Sequence, residues 1–290
     1  MKTIHIPILT VLLLVTAGTT IAREKISLIT AVHSKTLNGY QRAKGADGRF
    51  KPEYYALSIG GKLSGTLSDS SIEKVPVPQL AGVLGQFLAQ QNYHLAPDAK
   101  STDLLLLVNW GKTNAYRDAD LTSAINRYGS ATSTKPGSGD VDQIAGAVAE
   151  IAMLNRLRDL ANEGNARLLG YIDEVNRISD HRIWSAGGNY YQELIGDLED
   201  PRYYLFVSAY DFSELARKKN PKLLWCTRVS IRAPGSSFER DFAAMLAKAA
   251  HHFGQDSGGL LRRYDPRGRV DIGDIEVIGM SSTPDHDKSK

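Results

Sequence analysis

The residues best suited to recognition chemistry lie between positions 181 and 191, in the segment HRIWSAGGNYY. Its candidate binding residues are His181, Trp184, Tyr190 and Tyr191. Tryptophan and tyrosine rings are enriched in binding surfaces, and the Gly-Gly pair between them adds backbone freedom. The segment therefore suits recognition of a protein, a peptide or a glycan. The same rings could instead anchor a helical insertion to a sheet, and the sequence leaves both interpretations open.

An acidic cluster of Asp197, Glu199 and Asp200 follows this segment. Paired carboxylates can bind calcium or hydrolyse glycosidic bonds. The cluster lacks the alternating oxygen ligands and the glycine of an EF-hand loop, so a solvated loop before Pro201 is the favoured interpretation. The alternative is a hydrolase acting on an extracytoplasmic polymer, in which carboxylates such as Asp197 and Glu199 assemble in three dimensions.

The sequence Trp110-Gly111-Lys112-Thr113 resembles the end of a phosphate-binding P-loop. That loop needs an earlier glycine, because the turn between its two glycines directs backbone N–H groups onto phosphate. Leu106 occupies the position of the earlier glycine and lies inside an apolar run. Nucleotide binding is therefore not predicted, and Lys112 is expected to be a solvated residue at the end of a strand.

Motifs for other catalytic sites or cofactors are not recognisable. The chain has no G-x-S-x-G nucleophile elbow and no H-E-x-x-H pair, so we predict neither a catalytic residue, nor a metal, nor a cofactor. Short basic groups such as Arg262-Arg263 are interleaved with acidic residues, and the formal charge is only +3. We expect these groups to form a solvated face, and we predict no nucleic-acid partner.

The composition is that of a globular protein, with 290 residues of which 42% are hydrophobic. This balance excludes a fully disordered chain and a disulfide scaffold. Cys226, the single cysteine, cannot form an internal disulfide, and it lies in an apolar run that reads as a buried strand. A packed thiol is therefore favoured over a catalytic one.

Residues 1–22 have the layout of a secretory signal peptide. A weakly basic start with Lys2 precedes an apolar run of about a dozen residues, and small residues precede Arg23. The run is shorter than the roughly 20 residues that span a bilayer, so cleavage after Ala22 is favoured over an uncleaved anchor. We expect an extracytoplasmic chain, periplasmic or secreted, without a transmembrane segment after cleavage.

The elements predicted to position these residues alternate between β-strands and α-helices. Proline-flanked, period-two and continuous apolar runs predict strands, and apolar residues at three- to four-residue spacing predict helices. Residues 144–178 could form one helix or a hairpin that breaks at Gly164, and the hairpin is slightly favoured. We predict an α/β fold: a mixed sheet with helices packed on it, in one domain over 23–279, with a helical insertion near 112–200 and a disordered tail at 280–290. The expected strands cover residues 54–59, 104–108, 203–210, 223–231 and 270–278.

The order of these elements, with Asp211 and the pair Leu224-Trp225, resembles a group of bacterial envelope proteins. The group includes the amino-terminal domain of TolB and the curli-secretion lipoproteins, and the resemblance covers residues 54–110 and 200–280. It implies a non-catalytic binding or envelope-assembly module, but it carries no functional residues to this chain. The lipid-anchored members have a lipobox cysteine that this sequence lacks.

Overall fold

The computed structural model describes residues 28–63, 67–116, 118–133, 141–180 and 188–265. Within these ranges the chain forms a seven-stranded sheet with the order β3-β2-β4-β5-β6-β1-β7. The strand β2 pairs in parallel with β3 and β4, and all other neighbours are antiparallel. The strands are β1 (Leu28–Thr36), β2 (Glu53–Gly61), β3 (Tyr93–Leu95), β4 (Leu104–Lys112), β5 (Arg202–Asp211), β6 (Leu223–Arg232) and β7 (Leu261–Asp265).

Helices cover both faces of this sheet, which confirms the predicted α/β fold with a mixed sheet. Four of them lie between β4 and β5, as the predicted helical insertion requires. The helices are α1 (Ser70–Glu73), α2 (Val77–Gln90), α3 (Asp118–Ser133), α4 (Val141–Leu169), α5 (Ile172–Asp180), α6 (Gly188–Glu199), α7 (Phe212–Lys218) and α8 (Phe238–Ala249), the last followed by a 3-10 turn at Ala250–His252.

The first face of the sheet carries the larger core. Successive side chains of a strand point to opposite faces, so alternate residues of β4 and β5 project to this side. They pack against α2 and α8, whose apolar residues recur at helical spacing. Trp225 is fully buried at the centre, with its ring 5.8 Å from that of Tyr93 and 6.0 Å from that of Phe253.

The second face carries a smaller core under the helical insertion. Tyr204 and Phe206, the intervening residues of β5, stack with their ring centroids 4.7 Å apart. They pack against Leu169 at the end of α4 and against Leu194 and Leu198 of α6. The sheet therefore fixes the end of α4 and one side of α6, and these two helices position the candidate site described below.

The helix α4 corrects one expectation, because it runs without a break from Val141 to Leu169. The break predicted at Gly164 is wrong in position: residues 144–178 do divide into two helices, but α4 ends at Leu169 and α5 begins at Ile172, with Gly170 at φ +83° between them. An interior glycine costs a helix only about 1 kcal/mol, and tertiary contacts on either side outweigh that cost. Asn162 and Asn165 are buried, and Asn165 donates to the carbonyl oxygens of Asn114 and Leu198.

Lys112 corrects a second expectation, because it is mostly buried rather than solvated. Its Nζ lies 2.8 Å from Asp69 Oδ2, and that oxygen also accepts from the hydroxyl of Tyr203 at 2.9 Å. Burial raises the pKa of Asp69, but the hydrogen bonds from Lys112, Ser71 and Tyr203 together lower it by a larger amount. The pKa of Asp69 therefore lies well below its usual range. The cluster joins α1 to the two central strands.

The prediction for Cys226 is confirmed, since the thiol is buried in β6, where its sulfur accepts from Ser208. The strands expected at 54–59, 104–108, 203–210 and 223–231 are present, and the last two form an antiparallel pair. The strand expected at 270–278 and the tail at 280–290 lie outside the described residues. Across the described ranges, no helix combines the length and apolarity needed to cross a bilayer.

Candidate functional site

A groove of about 460 Å³ lies between α4, α5 and α6. This volume falls in the range of pockets that bind small molecules. Its lining combines polar and apolar side chains. The polar residues that line it are Arg158, Asp159, Asn162, Glu163, Arg167, Asn176, Tyr191, Gln192 and Glu199, and the apolar ones are Ala166, Ile172, Val175, Ile195 and Leu198.

Asn162 is the most buried polar side chain of the groove, at 6% exposure. Its Nδ2 donates to Glu199 Oε1 at 3.2 Å, whereas its buried Oδ1 accepts no hydrogen bond from the described residues. Arg158 lies one turn earlier on α4, and its buried Nε likewise has no hydrogen-bond acceptor among them. Buried polar atoms are almost always hydrogen-bonded, so an acceptor and a donor that both lack a hydrogen bond, one turn apart on α4, indicate a site for a polar ligand or water.

The charged groups of the groove are already paired with one another. Arg158 Nε lies 3.6 Å from Glu199 Oε1 and 3.7 Å from Asp159 Oδ1. Arg167 contacts Glu163 Oε1 at 2.6 Å, one helical turn earlier. Two arginines therefore face three carboxylates, and the one excess negative charge disfavours an anionic ligand. Because each of these charges already has a partner, the groove suits a neutral, hydrogen-bonding molecule.

The predicted aromatic residues separate into two roles where the structure describes them. Tyr190 and Tyr191 both lie near the start of α6, but only Tyr191 lines the groove. The ring of Tyr190 lies under the guanidinium of Arg262 at 5.6 Å. Burial and a hydrogen bond with Glu174 raise the pKa of Tyr190. Tyr190 therefore anchors the insertion, and Tyr191 faces the candidate ligand site.

The other two predicted binding residues, His181 and Trp184, lie outside the described residues. Their proposed part in recognition stays a prediction. Asn162 and Arg158, which line the groove, were not among the predicted site residues. Their four-residue spacing was the available signal, because it places two polar groups on one face of α4.

The acidic cluster is also different from the expectation. Asp197 lies in α6, not in a solvated loop, and it is buried beside Arg202, which is fully buried in β5. Its Oδ1 lies 3.6 Å from Arg202 Nη1, and its Oδ2 accepts from the hydroxyl of Tyr171 at 3.1 Å. Burial raises the pKa of that tyrosine. Asp197 is therefore part of a structural ion pair and does not line the groove.

Arg262 belongs to the same buried network, so the solvated basic face expected for it is wrong. Its Nε donates to Asp197 Oδ2 at 2.8 Å, and its Nη1 donates to Glu193 Oε2 at 2.9 Å. Two arginines from different strands thus converge on one carboxylate of α6. The physical reason is that a buried guanidinium requires a counter-charge, and the last turns of α6 supply it.

A second cavity of about 350 Å³ lies between β1, α5 and the loop before β7. His33 lines it, and the buried Nδ1 of that side chain has no partner in the described part of the chain. Burial, followed by the positive charge of Arg228, lowers the pKa of His33. The surrounding charges include both signs, among them Lys35 paired with Asp173, so the cavity selects no class of ligand.

Comparison with known proteins provides no further constraint. No model of a known protein family matches this chain, and a search of curated proteins also finds no match. In the described ranges, no three histidine, cysteine or acidic side chains are grouped closely enough to hold a metal ion. Conclusions about function therefore depend on the geometry of the groove.

Proposed function

We propose that this chain is a non-catalytic binding module outside the cytoplasm, periplasmic or secreted, and that its groove holds a neutral saccharide. The observation that carries the proposal is that Asn162 Oδ1 and Arg158 Nε, one turn apart on α4, both lack a hydrogen bond within the described residues, although Arg158 has longer ion-pair contacts. A sugar hydroxyl both donates and accepts hydrogen bonds, so neighbouring hydroxyls can satisfy both atoms together. An anionic or cationic ligand would satisfy only one of them.

Two further features favour a sugar. The charges of the groove are paired internally, so a neutral ligand loses no electrostatic attraction there. Tyr191 contributes an aromatic side chain with a polar tip to the wall, and such side chains provide contact area and hydrogen bonds at low entropic cost. The apolar residues of the lining can contact the C–H face of a pyranose ring.

The location of the module is inferred from residues 1–22, whose layout is that of a signal peptide. The resemblance to envelope proteins in element order agrees with a place in the cell envelope. In this view the mixed sheet is a scaffold, and the insertion between β4 and β5 carries the binding surface. Sites on rigid elements keep their geometry better than sites on loops.

Isothermal titration calorimetry with chitotetraose and cellotetraose as probes tests the proposal, with tetra-alanine as a neutral peptide comparison. Asn162→Ala should weaken sugar binding by about five- to twelvefold, because one hydrogen bond in a buried site contributes about 1–1.5 kcal/mol. Asn126→Ala is the matched control, since Asn126 is exposed on α3, away from the groove. Absence of sugar binding, or equal binding by Asn162→Ala and the unmodified chain, would refute the saccharide site.

The alternative function is a hydrolase of an extracytoplasmic polymer. Of its two candidate carboxylates, only Glu199 is placed to contact a ligand in the groove. Glu199 lines the groove, whereas Asp197 is held in the buried ion pairs with Arg202 and Arg262. Mass spectrometry of the same tetrasaccharides after prolonged incubation separates the two functions. Shortened products that disappear with Glu199→Gln would favour the hydrolase over the binding module.

A further inference from the structure

The helix α4 exposes an apolar stripe on the side that faces away from the sheet. Met153, Leu157 and Leu160 are 63%, 44% and 56% exposed. Their spacing of four and then three residues is that of a coiled-coil seam. Asn162 and Asn165, which face the domain, lie on the other side of the helix. The stripe therefore points outward from the domain, where a further helix could pack on it.

The residues that continue the stripe at the same spacing are Glu150 at one end, and Gly164 followed by Arg167 at the other. A side chain added at Gly164 would meet nothing within 4 Å. Glu150 pairs with Arg127 of α3, and Arg167 pairs with Glu163, but all four side chains are substantially exposed. The seam thus has an acidic end, an apolar centre, and a small residue before a basic end.

We propose that α4 is a dimerisation helix that packs antiparallel against α4 of a second copy of this chain. In that arrangement Glu150 lies opposite the partner's Arg167, and Met153 lies opposite the partner's Gly164. Leu157 lies opposite the partner's Leu160. Because the pairing is two-fold symmetric, every layer occurs twice. Met153 thus meets a glycine, the leucines pack on each other at the centre, and opposite charges close both ends of the seam.

The charges also select the antiparallel direction. A parallel pair would place Glu150 against the partner's Glu150 and Arg167 against the partner's Arg167, and like charges in a seam are destabilising. On one flank of the stripe, Arg156 and Glu163 lie seven residues apart. Antiparallel packing brings Arg156 near the partner's Glu163, and Glu163 near the partner's Arg156. Parallel packing instead brings them near the partner's Ala161 and the partner's Leu168.

The size of the seam sets the expected strength. Residues 150–167 span about 27 Å of helix at a rise of about 1.5 Å per residue. A single helix pair of this length lies at the lower end of specific interfaces, so we expect a reversible dimer rather than a permanent one. Arg158 and Asn162 lie on another face of α4, whereas Glu163 and Arg167 border both the groove and the seam. The test of the dimer therefore changes Leu157, which does not line the groove.

Sedimentation velocity of the purified chain over a range of concentrations tests the association. We expect a monomer–dimer equilibrium that Leu157→Arg shifts to monomer by at least about tenfold in dissociation constant. Val148→Arg is the matched control, because Val148 is half exposed on α4 but lies outside the stripe. A monomer at all concentrations up to about 1 mM, the affinity of very weak complexes, would overturn the proposal. So would a dimer that Leu157→Arg leaves unchanged.

Cross-linking tests the direction, because Cys226 is buried and does not compete. A mixture of Met153→Cys and Gly164→Cys chains should form a mixed disulfide under mild oxidation, whereas Met153→Cys alone should not. Cross-linking of Met153→Cys with itself, without the mixed product, would overturn the antiparallel arrangement. Circular dichroism of each variant, with an unchanged spectrum as the criterion, shows that the loss of dimer is not a loss of fold.

Discussion

Replacing Asp197 by alanine should destabilise the fold strongly, although the residue lies outside the proposed sugar site. The substitution removes the counter-charge of Arg202, which is fully buried, and of Arg262, which contacts the same carboxylate at 2.8 Å. Removing one partner of a buried ion pair costs about 3–5 kcal/mol, because the remaining charge stays desolvated without compensation. For a domain of this size that corresponds to a fall of roughly 6–20 °C in Tm.

The assay is thermal and urea unfolding followed by circular dichroism, with Asp173→Ala as the matched control. Asp173 pairs with Lys35 at 3.4 Å, and both side chains are more than half exposed. An exposed pair of this kind contributes at most about 1 kcal/mol. If Asp197→Ala and Asp173→Ala lower the free energy of unfolding equally, the buried network does not hold α6 to the sheet as described.

Further predictions concern acid stability, two glycines and processing. The pKa of Asp69 is depressed in the folded chain. The stabilisation by the Asp69 carboxylate is therefore present above its unfolded pKa of about 3.9 and is lost as the pH falls through the folded value. The free energy of unfolding of Asp69→Asn should accordingly depend less on pH, between about pH 5 and pH 2, than that of the unmodified chain. Gly170→Ala should lower Tm, because Gly170 has φ +83° and an added methyl group would lie 2.7 Å from the ring of His33. Gly164→Ala should raise Tm, since alanine is favoured over glycine in a helix by about 1 kcal/mol and nothing lies within 4 Å of the added carbon. A higher Tm for Gly170→Ala than for Gly164→Ala would contradict the surroundings described for these two glycines. Intact-mass analysis of chain exported by a bacterial host should find Arg23 at the amino terminus, and retention of residues 1–22 would contradict cleavage.

The sheet could be predicted because its signals are local. A continuous apolar run at 104–108 indicates a strand covered on both sides, and β4 is such a strand. The aromatic and β-branched run at 203–210 becomes β5, with alternate residues in the two cores. A strand that is buried on both faces by helices leaves this pattern in its own residues, whichever strands lie beside it. Local patterning was therefore sufficient for the fold class.

The charged residues could not be predicted in the same way, because their burial depends on distant partners. Asp197 is buried by Arg202, five residues away, but also by Arg262, 65 residues further along the chain. Lys112 is covered through Asp69, which precedes it by 43 residues. Single-sequence patterns treat a charged residue as solvated by default. A charge that meets its counter-charge only after the sheet has formed contradicts that default.

The groove was missed for a related reason. Three helices build it, and its two free polar atoms belong to α4, while the predicted aromatic residues lie at or before α6. The aromatic pattern singled out Tyr191, which lines the groove. It could not show that Asn162 lies under the same surface, because that proximity depends on how α4 and α6 pack.

The position of β1 in the sheet has a consequence for how the chain reaches this structure. Among the described strands, β1 lies between β6 and β7, with Thr30 opposite Ile231 and Arg263. Neither ladder of β1 can form until almost the whole chain has left the ribosome, and contacts between residues so far apart in sequence make folding slow. For the exported chain proposed above, slow closure is an advantage, because residues 28–36 stay unpaired while the chain is threaded across a membrane. Folding would then be completed on the far side, when β6 and β7 enclose the strand that left the cytoplasm first.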